Sequence, residues 1–282
     1  MIQSGKEQEA ASSESSIRLS VIADDFGMHE AINEAIAETF RDGLLTDANV
    51  MAPCPAFEEA VRLAKETGLP VGMHTTFTCE FDLYRWGPLL SAKTLVVEDG
   101  NFPQAHAWGS VDLAEARREM FAQHDRLRDA GLVLTHLSEH MGLGEPGDAL
   151  AALQAELGRE RNLPHRTHGK RPGAPPFRYA VDGLVHVSAV AGLETRKNRL
   201  RERLQAMRPG GRYIWVVHPG ADHASLDRLA TPGSPVFDWG RPFRALDRAL
   251  LLDPDVRQWM ADLNIVPTPI AEFPITGSPA AR

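Results

Sequence analysis

The feature that most constrains the fold of this chain is a repeated alternation of short apolar segments with amphipathic ones. Residues 17–23 form a short, mostly apolar run with β-branched residues that predicts a buried strand, and residues 31–40 carry apolar side chains at three- and four-residue spacing, which predicts a helix. The alternation recurs, with strands predicted near 45–51, 69–74, 132–137 and 213–217. Strands that alternate with helices favour a mainly parallel sheet, either open and doubly wound or closed as a barrel.

Further helices are predicted near 56–67, 110–131, 148–161, 194–207, 241–251 and 256–263, the second of them capped by Ser110 and ended by Gly131. Neither GxGxxG nor GxxxxGK[ST] follows the first strand, which disfavours nucleotide-binding folds and favours a barrel-like enzyme. We expect one barrel domain over residues 17–275, after a disordered tail over residues 1–16. Two stretches, 75–109 and 163–183, exceed what simple connections need, and such long loops are commonly functional.

Composition narrows the classes of partner. The formal net charge of -8 disfavours a general nucleic-acid binder, because such proteins neutralise phosphates with clustered Lys and Arg. The polar first sixteen residues lack the apolar core of a secretory signal, and no stretch approaches the roughly 20 apolar residues of a membrane span. We therefore expect a cytoplasmic protein that binds neither nucleic acid nor membrane. Cys54 and Cys79, the two cysteines, are interpreted as small core residues.

Side chains suited to metal binding or proton transfer follow four of the predicted strands. They are the pair Asp24 and Asp25, then His74, His140 and His218. In a parallel α/β fold every strand delivers its carboxyl end to the same rim, so groups that are distant in sequence converge there. The sequence therefore predicts one polar site at this end of the sheet.

The residue types suggest how the chemistry is divided. Asp25, His74 and His140 form a ligand set suited to a divalent metal that keeps positions open for water and substrate, as hydrolysis of an unreactive amide requires. Adjacent aspartates at a strand end point in different directions, so Asp24 is free to act as the base. His218, in an HPG turn, would protonate the departing amine if its pKa lay near neutrality.

Each assignment has a structural competitor. The two aspartates could cap the following helix, His74 could be a hydrogen-bonded core residue, and His218 could shape a turn; their joint position at strand ends favours a site. His136 is interpreted as structural, although it could ligate together with His140. The remaining histidines are interpreted as structural: His29, His106, His124, His165, His168, His186 and His223.

The two long loops supply candidates for substrate binding. Tyr84 and Trp86, in DLYRWGPLL, could stack on sugar rings, with core packing as the alternative. Arg85 and Arg166 lie in the same loops and could reach the rim of the site. We therefore predict these four residues as substrate-binding.

Several motifs, taken together, resemble one family. ADDFGMHEAINEAI, TDANVMAPCPAFEEA, GMHTTFT and VVHPG resemble the YdjC-like carbohydrate deacetylases, which include chitooligosaccharide deacetylase and hopanoid-biosynthesis relatives, over residues 17–270. The resemblance implies a distorted (β/α) barrel, a homodimer, one divalent ion (Mg, Zn, Mn or Co) and hydrolysis of the acetamido group of an N-acetylated sugar. It also implies Asp25, His74 and His140 as metal ligands and Asp24 as base.

The chain departs from the family pattern at one position that bears on metal binding. Ser138 stands where family members usually carry Asp in T-H-x-D-x-H, so a partner of a metal histidine is lost or replaced by Glu139. Thr75 and Phe77 also replace the usual leucines, which could reshape the pocket wall. Two alternatives therefore stay open: a sugar-binding relative without turnover, and a metal-dependent hydrolase of another bond, such as an ester.

Overall fold

The computed structural model describes residues 16–104, 111–143, 149–167, 175–188, 192–230 and 240–277. The strands in these ranges are β1 (Ile17–Phe26), β2 (Asp47–Val50), β3 (Val71–Thr75), β4 (Leu134–Glu139), β5 (Arg178–Tyr179), β6 (Gly183–Val185), β7 (Arg212–Val217), β8 (Ile265–Pro267) and β9 (Ile275–Thr276). The α-helices are α1 (Glu30–Asp42), α2 (Phe57–Thr67), α3 (Leu113–Asp129), α4 (Ala149–Arg161), α5 (Leu193–Gln205), α6 (Arg241–Leu252) and α7 (Pro254–Asp262). Helix thus alternates with strand over most of the chain, as the sequence predicts.

The main sheet has the order β4-β3-β2-β1-β7-β6, and β8 pairs with the start of β1. All of these pairings are parallel. A parallel sheet needs a crossover between successive strands, and the helices provide it. The predicted α/β fold with mainly parallel strands is therefore confirmed.

The sheet curls towards a barrel. Glu139 at the end of β4 and Leu184 in β6, which stand on opposite edges of the sheet order, line the same pocket. Isolated parallel bridges join Leu137 to His165 and His165 to Arg178, so the chain beyond β4 continues round the open side towards β5. The result is a distorted barrel in which two single-residue bridges replace regular strands on one side.

The alternation of side chains along β1 separates two apolar cores. Leu19, Val21 and Ala23 belong to the large cluster that also contains the buried helix faces, whereas Ile22 belongs to a small cluster inside the barrel. The inner cluster also contains Tyr179, Ile214, Ile270 and Phe273. A short 3-10 helix, Ile270–Glu272, reaches Asp47 at the amino end of β2, where the Ile270 N–H donates to the carboxylate. The opposite end of the barrel is left for the site.

Several details differ from the predictions. The side chain of Asp112 caps α3 by accepting from the Ala114 and Glu115 N–H groups, so Asp112 takes the role predicted for Ser110, which lies outside the described residues. The strands β5, β6, β8 and β9 were not predicted, because runs of two or three residues are too short to show a periodicity. The predicted tail over residues 1–16 also lies almost wholly outside the described residues. In the described part of the chain, no helix is long and apolar enough to cross a bilayer.

Candidate metal centre and active site

A pocket of about 470 Å³ opens at the carboxyl ends of the parallel strands. The five residues predicted at strand ends all line it, and so does Arg166. The other lining residues are Glu80, Glu139, Met141, Gly142, Thr167, Leu184, His186, Ile214 and Val216. The structure therefore brings together residues that lie up to 194 positions apart in sequence, from Asp24 to His218.

The end of β1 carries a local distortion that shapes the pocket. Asp25 has a φ of 70°, in the left-handed region that non-glycine residues seldom adopt, and the pairing register with β2 shifts between Ala23 and Phe26. In a regular strand, two adjacent side chains would point to opposite faces. Because of the distortion, both Asp24 and Asp25 line the pocket, with different neighbours. Divergent side chains were expected from the sequence, but this kink in the backbone was not.

Asp25, His74 and His140 form the only group of potential metal ligands found among the described residues. One ligand atom from each lies within 4.8 Å of the others, and all three residues are buried. Asp25 Oδ1 is 3.5 Å from His74 Nε2 and 3.2 Å from His140 Nδ1. A carboxylate oxygen and two imidazole nitrogens this close together fit a divalent cation such as zinc.

The hydrogen bonds behind the two rings determine which nitrogen each one presents. His74 Nδ1 is 2.8 Å from Ser138 Oγ, and the Ser138 hydroxyl donates to the Met73 carbonyl at 3.3 Å. His140 Nε2 is 2.8 Å from a carboxylate oxygen of Glu80. Despite the burial of His140, the Glu80 and Asp25 carboxylates raise its pKa to about 10. Without a metal, a proton thus takes the place that a cation would occupy.

Arg244 stabilises the carboxylate of Asp25 through a buried ion pair. Its side chain is fully buried, and its guanidinium donates to Asp25 Oδ2 at 2.8 Å. Burial alone would raise the pKa of Asp25, but Arg244 and the two histidines hold it well below the usual range. Gly220, in the HPG turn, makes room for this arginine, because a Cβ there would lie 2.8 Å from Arg244 Cβ. Arg244 was not predicted, since it lies in the first turn of α6 and does not follow a strand.

Asp24 is held as a carboxylate by polar neighbours. Asn49 Nδ2 donates to its Oδ1 at 2.6 Å, and Arg166 donates to its Oδ2 at 3.0 Å. Burial opposes ionisation, but Arg166, with His74 and His218, lowers the pKa of Asp24 below its ordinary value. His218 Nε2 lies 3.9 Å from Asp24 Oδ2. A group that stays ionised beside a histidine is suited to exchange a proton with it.

His218 is oriented by a second buried acid. Its main-chain N–H donates to Asp247 Oδ2 at 2.8 Å, and its Nδ1 lies 4.0 Å from the same oxygen. Asp247 also accepts from Ser188 and Arg196, which are buried. Burial lowers the pKa of His218, although the nearby carboxylates oppose the shift. The imidazole is therefore more readily neutral than the sequence argument assumed.

Three of the four predicted substrate-binding residues do not line the pocket. Trp86 is buried and donates from Nε1 to the Thr78 carbonyl, and Tyr84 donates to the Met28 carbonyl. Arg85 donates to the main-chain carbonyls of Cys79, Phe81 and Phe102, and it pairs with Asp99. These contacts fold the loop 76–104 upon itself. Contact of the three side chains with sugar stays an untested prediction, whereas Arg166 does line the pocket.

Two further histidines differ in their positions. His136 is fully buried beside Gly72, with its Nδ1 2.8 Å from Thr135 Oγ1, and it is not part of the ligand group. Burial lowers the pKa of His136 to about 3, so it is a neutral core residue. His186, interpreted as structural from the sequence, lines the pocket instead. His106 and His168 lie outside the described residues.

Comparison with known proteins identifies the family. The family model for YdjC-like proteins matches residues 18–262. The chain belongs to the YdjC-like family. The motifs singled out from the sequence lie within the matched region, and so do all five strand-end residues.

Two curated relatives in this family are named carbohydrate deacetylase. The protein from Geobacillus stearothermophilus is 36% identical over 148 residues, which are 52% of this chain and 58% of that protein. The protein from Clostridium beijerinckii is 34% identical over 152 residues, which are 53% of this chain and 60% of that protein. The chain thus spans about three fifths of the length of the curated relatives it matches.

A solved structure supports the fold. A protein from Enterococcus faecalis, described as a cellobiose-phosphate cleavage protein, aligns with a TM-score of 0.74 and 20% sequence identity. The alignment covers 91% of this chain and 98% of that one. At this identity, the likeness concerns the fold alone, and the YdjC-like chain shares its architecture with that protein over nearly the full length.

Proposed function

We propose that this YdjC-like protein is a metal-dependent hydrolase that removes the acetyl group from an N-acetylated sugar. One observation carries the proposal: the ligand group of Asp25, His74 and His140 shares a pocket with an ionised aspartate and a histidine 3.9 Å apart. This arrangement provides a cation site, a base and an acid, which amide hydrolysis requires. The names of the two curated relatives agree with it.

Asp25, His74 and His140 would hold the metal. When bound, a divalent cation would polarise a carbonyl oxygen and lower the pKa of water, so that water becomes a nucleophile at neutral pH. Asp24, fixed by Asn49 and Arg166, accepts the proton that the attacking water releases. The C–O bond to the acetyl carbon forms, the C–N bond breaks, and acetate and a free amino sugar result.

His218 delivers a proton to the departing nitrogen. Because burial lowers the pKa of His218, we infer that its imidazole starts neutral and receives the proton collected by Asp24. The 3.9 Å between Asp24 Oδ2 and His218 Nε2 suits such a transfer after a small movement. One proton therefore passes from water to Asp24, then to His218 and then to the amine.

The identity of the metal, the oligomeric state and the localisation of the protein stay predictions. The metal is one of Mg, Zn, Mn or Co, and a cytoplasmic homodimer that binds neither nucleic acid nor membrane is what we expect. The alternative of a sugar-binding relative without turnover rested on Ser138. Its hydroxyl lies 2.8 Å from His74 Nδ1, so the histidine keeps a hydrogen-bond partner at this position, and the alternative stays open to the test below.

The test is acetate release from N-acetylglucosamine and its oligomers, before and after chelation and after each of the four metals is added back. We expect chelation to abolish release and one metal to restore it. His140→Ala should behave like the chelated protein, and Arg118→Gln, on the exposed surface of α3, should match the wild type. Equal release with and without chelator would contradict the proposal. p-Nitrophenyl acetate, assayed in parallel, ranks ester against amide hydrolysis.

A further inference from the structure

The loop 76–104 brings a carboxylate to the back of one metal histidine. Glu80 Oε2 lies 2.8 Å from His140 Nε2, and the side chains are 11% and 4% exposed. A carboxylate only accepts hydrogen bonds, so His140 Nε2 carries the proton of the neutral ring. Its Nδ1 is then left with a lone pair, and Nδ1 is the atom that lies 3.2 Å from Asp25 Oδ1.

Ser138 determines the opposite arrangement at the other histidine. Its hydroxyl donates to the Met73 carbonyl, so its oxygen accepts from His74 Nδ1–H at 2.8 Å. His74 then presents the lone pair of Nε2, which lies 3.5 Å from Asp25 Oδ1. When both rings are neutral, as metal ligation requires, three acceptor atoms therefore face one another with no hydrogen between them. Such a group is stable only around a positive charge.

We propose that Glu80 and Ser138 are the positioning residues of the metal centre, and that they fix coordination through His140 Nδ1 and His74 Nε2. The inference rests on the metal-dependent function proposed above. It assigns a role to part of the loop 76–104, in which the sequence suggested sugar contacts, and it gives the two histidines unequal support.

The two positioning residues differ in charge, and so does their expected effect. The hydrogen bond to Glu80 is charge-assisted and makes the His140 ring a stronger electron donor, whereas the Ser138 hydroxyl is neutral. Loss of such a partner typically weakens metal affinity by about 10- to 100-fold. We therefore expect the larger loss at Glu80 and the smaller loss at Ser138.

Glu80 is held in place by the folded loop. Arg85 donates to the carbonyls of Cys79 and Phe81, the two residues that flank Glu80. The Trp86 ring lies 6.0 Å from the His140 ring, centroid to centroid, and packs beside it. Residues that the sequence marked for sugar binding thus stabilise the loop that carries Glu80.

The first experiment measures Zn²⁺ affinity of the metal-free full chain by competition with a chromophoric chelator. Glu80→Ala should weaken binding about 10- to 100-fold, Glu80→Gln about tenfold because the acceptor remains and the charge is lost, and Ser138→Ala by less than Glu80→Ala. Glu66→Gln, on the surface of α2, is the matched control and should bind like the wild type. Thermal unfolding of each variant checks that the fold is retained.

The outcomes separate the two proposals. Wild-type affinity in both Glu80 variants would overturn the inference and leave the proposed function intact. A wild type that binds none of Zn²⁺, Mg²⁺, Mn²⁺ and Co²⁺ would overturn both. If the wild type binds metal but releases no acetate with any of the four, the proposed function fails and the positioning roles stand.

A second experiment uses only the wild type, so it does not depend on whether a variant folds. Long-range ¹H–¹⁵N spectra of the zinc-loaded wild type, with ¹⁵N-labelled histidine, report which ring nitrogen of each metal ligand is protonated. We expect one ligand protonated at Nε2 and the other at Nδ1. Two ligands protonated at the same nitrogen would overturn the inference.

Discussion

At the scale of single residues, the left-handed backbone conformation of Asp25 gives the adjacent carboxylates of Asp24 and Asp25 different contacts. It places both carboxylates in one pocket, yet Asp24 contacts Asn49 and Arg166, whereas Asp25 contacts Arg244 and lies beside His74 and His140. Residues that are adjacent in sequence therefore belong to two separate networks. Their substitutions should have separable effects.

Asp24→Asn and Asp25→Asn test this division. Asp24→Asn should lower kcat by about 10²- to 10⁴-fold, the usual contribution of a positioned base, and leave Zn²⁺ affinity within a few fold of the wild type. Asp25→Asn should lose Zn²⁺ binding and activity together, because it removes the charged ligand. Steady-state kinetics and Zn²⁺ titration on the same samples measure both effects. Loss of Zn²⁺ affinity in Asp24→Asn would show that the assignments are exchanged.

Asp47 gives a prediction about stability and pH. Burial raises its pKa to about 6, although hydrogen bonds from Thr46, Ser20 and the Ile270 N–H oppose the shift. Between about pH 4 and 6 the folded state therefore binds a proton at Asp47 more readily than the unfolded state. The contribution of this group to the free energy of unfolding thus falls as the pH rises through that window, by at most about 3 kcal/mol.

Asp47→Asn should remove this pH dependence. Relative to the wild type, the variant should gain roughly 2 kcal/mol of stability between pH 4 and 7.5, whatever its offset at low pH. Urea denaturation at several pH values measures the difference, with the exposed substitution Asp42→Asn as the control. Parallel stability curves for wild type and Asp47→Asn would show that Asp47 titrates normally in the folded protein.

At the scale of elements, the loop 76–104 holds Glu80 against His140, one of the three proposed metal ligands. From the sequence, its Tyr, Trp and Arg side chains suggested sugar contacts. In the structure they donate hydrogen bonds to main-chain carbonyls of the loop itself and of Met28. A composition rich in Arg, Trp and Tyr is compatible with either role. Only the contacts distinguish a folded loop from a binding surface.

Arg85→Ala distinguishes the two roles. If Arg85 holds the loop, its loss should weaken Zn²⁺ affinity several-fold and lower the melting temperature, because the chain on both sides of Glu80 is released. If Arg85 contacts sugar, KM for the substrate should rise and Zn²⁺ affinity should not change. Arg62→Ala, on the surface of α2, serves as the control in both measurements.

At the scale of the whole molecule, the alternation of strands and helices was predictable because the longer parallel strands lie in short, mostly apolar segments between amphipathic ones. The convergence of Asp24, His74, His140 and His218 followed from it, since parallel strands share one rim. β5, β6, β8 and β9 were not predictable, because two or three residues carry no periodicity.

The supporting residues of the site were also beyond the sequence argument. Arg244 and Asp247 lie on one helix, and Glu80 lies in an irregular loop, so none of them ends a strand. Their roles depend on which elements pack together in space, which a single sequence does not specify. The strand-end residues can be identified from the local sequence pattern, whereas their partners can be identified only from the tertiary structure.

The central claim is that Asp25, His74 and His140 surround one cation. Anomalous scattering from crystals of the protein soaked in Zn²⁺, collected on both sides of the zinc absorption edge, tests it most directly. The account predicts one strong zinc peak bonded to Asp25 Oδ1, His74 Nε2 and His140 Nδ1. The absence of a peak there, or zinc held by other residues, would contradict it.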